Sequence, residues 1–530
     1  MKNNQNTKAK KGGHESTIAN KIIELVTKSC ELVHNKQKEP FAIIHSNGIR
    51  KIYSINSKSF VDLVASEYYA ETKSSISDAS LKTAINTLTG KANFEGQEVE
   101  IHLRVAKTEA GYWLDLCNDR WEAVLITEAG WTVMSGDTVP LFCRSNSMQS
   151  IPTPVSGGNL ESLWKIVNIP SNERLLVLAW LLECLRTDTP HVVLELVGEQ
   201  GSAKSTTQQF LKQLIDPNAA NLRAAPKNVE DVWVGARNCH VVSFENLSYL
   251  PQQYQDALCV LATGGALATR TLFTNLDETI VQLCRPVVLN GISVVITAQD
   301  LLDRCIHLEL PRVVSRLLSK DVAEEFEKNH AQIVGALLDQ FVQALRQLVK
   351  VEIPDEDKPR MVDFAYLGEA VFIANGYEPG EFLRRYKEMR QKGVHRTIEA
   401  FPVGIALFSF LQSSPDGWSG QLLELLSLLN PKKPIGEPNW PRSAKSMGDA
   451  LRRLSPALRT IGFECSSSQK TGGNIIWKIK PLETRALKQS PECPASPESS
   501  VDSSGHPRLA GLDFNDYALL QNSNDEDPPF

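Results

Sequence analysis

HVVLELVGEQGSAKSTTQQFL, residues 191–211, decides the fold. The apolar run HVVLELV reads as a buried strand, Gly198 and Gly201 interrupt it, and Phe210, Leu211, Leu214 and Ile215 then recur at helical spacing. A strand that turns through glycines into a helix aims free backbone N–H groups, and the helix's positive end, at one point. The pattern G-x-x-x-x-G-K-[ST] marks loops that use this geometry to hold phosphate. Gly198 and Gly201 let the loop curl, Lys204 reaches the β- and γ-phosphates of ATP, and Ser205 supplies a hydroxyl to Mg²⁺. Glu199, Ser202, Ala203 and Thr206 complete the cradle. Ala203 stands where the pattern has its second glycine, a place its methyl tolerates if φ is negative. The plain alternative is a glycine-rich turn with no ligand.

Three segments downstream supply what such a loop needs. VVSFENLS (241–248) is an apolar strand ending in an acid, so Glu245 emerges beside the metal and its water. Asn246 stands where many ATPases carry a second acid, so either Glu245 serves alone or hydrolysis is slow. RPVVLNGI (285–292) ends in Asn290, an amide placed to sense the γ-phosphate from a strand between the other two, although Asn-Gly is also turn chemistry. In DLLDRCIHLELP (300–311), Arg304 either projects to a neighbouring subunit's γ-phosphate or pairs with Asp300 or Asp303; Arg312 and Arg316 are rival fingers.

These elements in this order resemble the superfamily 3 helicases, a branch of the AAA+ ATPases, and more closely the helicase-like ATPases of phages and integrative elements found behind primase-polymerase domains. GEQGSAKST, SFENLS, DALCVLATGGALATRTLF, RPVVLNGI, DLLDRCIHLELP and PRMVDFA carry the likeness, with HLRVAK, YWLDL and GW upstream. That family commonly reads A-K-S-T in the loop. It usually has Asp where this chain has Glu245. The resemblance implies a ring-forming homo-oligomer, possible as a hexamer, that acts on single-stranded or forked DNA. ATRTLFTNLDETIVQL (268–283) looks like the hairpin such helicases thread toward DNA, with Arg270 as the expected contact because the tip is acidic. The resemblance carries no primase-polymerase domain in these residues; a short N-terminal domain is expected before the ATPase.

The predicted fold class is α/β. Residues 1–15 form a disordered basic N-terminus, 16–155 an α+β domain, and 160–315 the P-loop ATPase; 316–398 are a helical region, 400–480 a winged-helix-like domain and 481–530 a disordered acidic tail. In the first domain a helix from Ser16 carries Ile22, Ile23, Val26 and Cys30 on one face, and a hairpin turns at Asn47-Gly48. Asp115 and Asp119 invite a metal reading, but on a strand they lie over ~10 Å apart, so a turn acid and a surface acid explain them better. Ile333, Val334, Leu337, Leu338, Phe341 and Leu345 form a stripe for core packing.

Between 431 and 480, ten basic residues face three acids, the local excess that a nucleic-acid contact needs in a chain of net charge −6. SAKSMGDALRRLSPALRTIG resembles a recognition helix interrupted at Pro456 and ended by Gly462, with a wing turning at Gly472-Gly473. Arg452, Arg453 and Arg459 would meet phosphates and Lys470 the adjacent groove; a protein-binding basic surface is the alternative. The terminal DEDPPF resembles the acidic tip of bacterial single-stranded-DNA-binding proteins, which docks in replication partners, or is a solvating tail.

Ten cysteines without a C-x-x-C pair argue against a zinc site or a disulfide framework and fit the cytoplasm. The most apolar run, LLVLAWLLECL (175–185), is too short to span a membrane and contains Glu183. The expected activity is ATP-dependent DNA translocation or unwinding in replication of a phage or mobile element. The rivals are a nucleotide-gated initiator or loader, and an ATPase of a mobile-element defence system.

Overall fold

The computed structural model describes residues 17–482, apart from 271–277, 293–294, 316, 400, 415, 438–439 and 470–474. Residues 1–15 and nearly all of the tail from 481 to 530, both expected to be disordered, fall outside the described residues, as do Lys470, Arg316 and the hairpin tip.

The chain starts with α1 (Ile18–Ser29), whose first turn is capped by the Thr17 hydroxyl accepting from the Asn20 amide. Strands β1 (Cys30–His34), β2 (Pro40–Ser46) and β3 (Ile49–Ser54) follow, then α2 (Lys58–Thr72), α3 (Asp78–Phe94) and β4 (Gln97–Glu98). They form a sheet of order β3-β2-β1-β4. The β2–β3 turn puts Asn47 and Gly48 at φ 53° and 73°, the positive values a tight hairpin demands. Cys30 is not on the helix as the periodicity suggests. It is extended and pairs with Ile44, because ladder bonds to β2 take over where α1 ends.

A second, antiparallel sheet contains β5 (Val105–Thr108), β6 (Gly111–Asp115), β7 (Ala123–Ile126) and β8 (Trp131–Met134) in chain order. Val105, Tyr112, Leu114, Val124 and Ile126 join the large apolar cluster of the central core. Trp113, on the opposite face, packs with Ala106, Ala123 and Phe142. Asp115 is no metal ligand here: it is buried and takes two bonds from Arg144, at 2.6 and 3.0 Å.

The central unit starts with α4 (Glu161–Ile166) and α5 (Arg174–Glu183), then β9 (Val193–Val197), α6 (Lys204–Ile215), α7 (Val229–Asn238), β10 (Val242–Leu247) and α8 (Gln252–Ala262). The hairpin β11 (Ala266–Arg270) and β12 (Glu278–Gln282) is followed by β13 (Val287–Gly291), α9 (Gln299–Leu302) and β14 (Cys305–Glu309). The four apolar runs read as strands are β9, β10, β13 and β14. They make one parallel sheet of order β10-β13-β9-β14. β9 and β13 are buried along their whole length, as expected of strands covered on both faces.

Helices α10 (Ser319–Leu348), α11 (Val362–Ala374) and α12 (Glu381–Glu399) come next. Ile333, Val334, Leu337, Leu338 and Phe341 are buried in the shared cluster, with Leu345 against it. The last part contains α13 (Pro402–Gln412), β15 (Trp418–Gly420), α14 (Leu422–Leu429), α15 (Ala444–Thr460), β16 (Phe463–Gln469) and β17 (Ile475–Pro481), with sheet order β15-β17-β16. α15 runs unbroken through Pro456, where an interruption is expected. Leu451, Leu454, Ala457 and Leu458 are buried on either side, and this packing offsets the one backbone bond a proline forgoes. The helix stops before Gly462, at φ 93°.

A buried charge network joins the second sheet to the central unit. Asp216 accepts from Arg104 at 3.1 Å, from Lys212 at 3.0 Å, and from the amides of His240 and Val241. Arg104 and Lys212 are themselves buried. Burial alone would raise the Asp216 pKa; Lys212 and Arg104 outweigh it and hold the carboxyl well below the usual range. Among the described residues no helix is long and apolar enough to cross a membrane.

Candidate nucleotide site

The loop between β9 and α6 lies at the carboxyl edge of the parallel sheet, where α/β folds place their ligands. Gly198 has φ 158°, and a Cβ there would come within 2.7 Å of the Leu310 carbonyl, so only glycine fits against β14's exit. Gly201 has φ 91° and accepts from the Val313 amide at 3.2 Å. The Ala203 methyl suits a negative φ, yet the residue takes φ 53°, ψ 29°. The loop needs a left-handed residue just before the helix, and a non-glycine there costs about 1–2 kcal/mol. Ala203 makes no side-chain cap, so the first amides of α6 lack a side-chain acceptor and point out of the helix.

Lys204 folds over the loop. Its Nζ donates to the carbonyls of Gly198 at 2.7 Å and Glu199 at 2.9 Å, and to Ser202 Oγ at 3.3 Å. Burial lowers its pKa. An ammonium held only by carbonyls and a hydroxyl is free to exchange them for phosphate oxygens. Glu199 and Thr206 are exposed, while Ser202 is buried and donates to the Glu199 carbonyl.

Asn290 lies on β13, between the loop strand and β10. Its Nδ2 donates to Gln208 Oε1 at 2.5 Å and reaches Ser205 Oγ at 3.5 Å; its Oδ1 accepts from the Asn246 amide at 2.8 Å. One amide thus connects Ser205, the expected metal hydroxyl, to the residue beside Glu245. Asn246 has φ 54°, at a register shift between Phe244 and Leu247 that breaks the ladder to β13. Glu245 is half-buried; its amide donates to the Arg223 carbonyl at 2.8 Å, and its carboxylate has no hydrogen-bond or ion-pair partner among the described residues.

Two residues escaped the sequence reading. Gln208 is fully buried and donates to Ser243 Oγ, Phe244 O and Val288 O. Its signal was available: it stands one helical turn after Lys204, a polar residue on the face that carries Leu211 and Ile215. Asn168 donates through Nδ2 to the carbonyls of Ser202 and Pro311 at 3.0 and 2.7 Å, tying the loop to the segment after β14. No local pattern marks it, since its partners are far away in sequence.

Beneath the loop, Glu195 in β9 accepts from the amides of Val295 and Ile296 and from His307 Nδ1 at 2.6 Å. A cavity of about 850 Å³ opens beside Glu199, walled by Leu310, Arg312, Arg384, Arg385 and Lys392. Among the described residues no group of three or more His, Cys, Asp or Glu converges on one point. Mg²⁺ bound through substrate phosphates needs no such cage: Ser205 and Glu245 would hold it with water.

The remaining expected residues lie elsewhere. Arg304 is at the opposite end of the sheet: its carbonyl accepts from Val193 at β9's entry, on the order of 13 Å from the loop at 3.3 Å per residue. It therefore cannot serve its own chain's loop, and its guanidinium is paired with Asp300. Arg270 ends β11 opposite Glu278. Arg452 pairs with Asp449 at 2.9 Å and lies over Trp477; Arg453 and Arg459 are exposed on α15.

A parallel sheet with this loop at its carboxyl edge has the architecture of a nucleotide-binding α/β core. Residues 160–387 match the family described as "Actinomycete integrative conjugative element replication protein", and 403–495 match the "AICE RepA C-terminal domain". A domain of that replication-protein family therefore occupies the centre of the chain. Comparison with curated proteins gives no match. Among solved structures, "The A form apo structure of NrS-1 C terminal region-CTR" is 12% identical at a TM-score of 0.38, covering 88% of this chain and 100% of that one. "SCCmec type IV Cch - active helicase" is 12% identical at 0.39, covering 86% and 93%. Likenesses this loose carry no argument.

Proposed function

We propose that the chain is a DNA-dependent ATPase of the helicase or translocase type, acting in replication of an integrative element or phage. The carrying observation is Asn290. From the strand between β9 and β10 it contacts Ser205 and the Asn246 amide at once, so a γ-phosphate bound above Lys204 would be sensed on the strand that holds Glu245. ATP would place its phosphates on the amides of Gly201 to Thr206 and its nucleoside in the cavity beside Glu199. Mg²⁺, when bound, supplies charge neutralisation between the phosphates. Glu245 orients the attacking water, and Arg304 reaches a second copy of this chain in a ring. The basic α15, in a helix–strand–helix–helix–strand–strand order that suits a winged helix, would contact DNA phosphates.

The replication-protein family match supports this reading. A second reading, an initiator or loader that holds ATP as a switch, is favoured by one observation: Asn246 offers no acid and its backbone is engaged by Asn290. Steady-state hydrolysis with and without single-stranded DNA separates the two. Stimulated turnover is expected; tight ATP binding without turnover would sink the motor.

A further inference from the structure

A cavity of about 1010 Å³ lies away from the nucleotide loop. The first domain forms one wall through Tyr53, His102 and Arg144; the central unit forms the other through Arg223, Arg237 and Arg285. Strand β12, returning from the hairpin, enters it at Val281 and Gln282.

Its cations divide into two kinds. Arg144 is neutralised by Asp115 at 2.6 Å, and Arg237 by Glu39 at 3.3 Å. Arg223 and Arg285 have no ion-pair partner among the described carboxylates. Arg285 donates only to the carbonyls of Ala236 and Cys284, both at 3.1 Å. Arg223 Nε is buried with no partner. Burial pulls the Arg285 pKa down, and burial, helped by the Arg285 charge and opposed by Glu100, lowers the pKa of His102. Arg223 and Arg285 are both partly exposed, and two half-buried guanidiniums on one wall without a counter-charge make a site short of an anion.

We propose that this cavity takes a single-stranded nucleic acid, with Arg223 and Arg285 on backbone phosphates and the Tyr53 ring against a base. A volume near 1010 Å³ exceeds what one small anion needs, and a cationic groove with an aromatic platform suits a strand read without sequence preference. The site is also wired to the nucleotide. The Arg223 amide donates to the Ser243 carbonyl at 3.3 Å, and its own carbonyl accepts from the Glu245 amide at 2.8 Å. A phosphate drawing on Arg223 thereby acts on the backbone that aims the Glu245 carboxylate. The proposal rests on the reading of the chain as a DNA-dependent ATPase and gives the first domain a part in it.

The test is binding of a labelled oligothymidylate to the full chain over a series of salt concentrations, with a non-hydrolysable ATP analogue. Arg223→Ala/Arg285→Ala should lower the slope of log affinity against log salt by about 1.4, at ~0.7 per phosphate contact on a single strand. Because the Arg285 side chain also holds the Ala236 and Cys284 carbonyls, a second variant adds charge at exposed lining positions: Gln37→Glu/Asn56→Asp should weaken binding without moving the melting temperature. An unchanged slope in the first variant together with unchanged affinity in the second overturns the proposal. So does capture of pyrophosphate or of a Glu-rich peptide by Arg223 and Arg285 in place of the oligonucleotide. Hydrolysis by the unaltered chain without DNA is measured beside it. Its absence would remove the ATPase reading while leaving strand binding in the cavity to stand or fall by the salt slope.

Discussion

Gln208 and Asn290 meet side chain to side chain at 2.5 Å, one on the helix that opens at Lys204 and the other on the strand between β9 and β10. Gln208 has no exposure and serves three further acceptors, so water cannot replace it. Gln208→Ala should destabilise the chain by about 1–3 kcal/mol, the cost of stranding buried polar partners. It should also lower turnover more than ATP affinity, since Asn290 loses its fixed orientation while the loop amides remain. Thermal unfolding and a kcat-against-KM comparison check it; equal losses in both constants would make Gln208 a general support.

Ala203 offers the opposite case, a native residue held in an unfavourable backbone region at φ 53°. Ala203→Gly removes the left-handed penalty and should stabilise the fold by roughly 0.5–1 kcal/mol after the larger chain entropy of glycine is counted. Ala203→Val should cost more than Ala203→Gly returns. Denaturant unfolding of the pair decides this, and stability that drops on placing glycine there would mean the alanine methyl makes a contact worth more than the strain.

Glu183 predicts a pH dependence. Burial raises its carboxyl to about 7, against the pull of Arg186 and of the Thr189 hydroxyl. A folded pKa above the ordinary 4.5 means the native state holds the proton more tightly than the unfolded one. Its stabilisation is complete below 4.5 and is lost as pH rises through 7, a difference on the order of 3 kcal/mol. Glu183→Gln should match the parent near pH 4.5 and exceed it near pH 8 in urea midpoint. A constant offset across that range would show that Glu183 is ionised throughout.

Arg304 is bound to Asp300, which Arg360 also engages at 2.5 Å. If Arg304 is the proposed finger, it should respond asymmetrically to mutation. Arg304→Ala is expected to keep ATP affinity within about threefold and reduce turnover at least ~100-fold, in line with the loss of a charge made for the transition state. Asp300→Asn frees the guanidinium and should leave turnover largely intact. Normal hydrolysis in Arg304→Ala would reduce the residue to its ion pair.

The parallel sheet was legible because β9, β10, β13 and β14 are apolar runs bounded by turn residues, and burial on both faces writes itself as such runs. Residues acting through backbone geometry were hidden. The sign of φ at Ala203 is set by the path of the loop into α6, and the unbroken path of α15 through Pro456 by neighbours that overrule a local rule. Cys30 has the right helical spacing, yet β2 offers it ladder bonds that no count along the chain reveals. Gln208 could have been picked out as a polar residue on an apolar face; Asn168 and the unpaired Arg223 could not, since only the folded chain shows what surrounds them.

Arg104 gives the second sheet a mechanical meaning. Helix α6 starts at the nucleotide loop and finishes at Asp216, which is locked to Arg104 from upstream of β5. The helix is a crank whose far bearing belongs to the N-terminal part of the chain. Under the proposed ATPase reading, a tilt of α6 would have to carry that sheet along, so a movement begun at the loop would reach residues far from it.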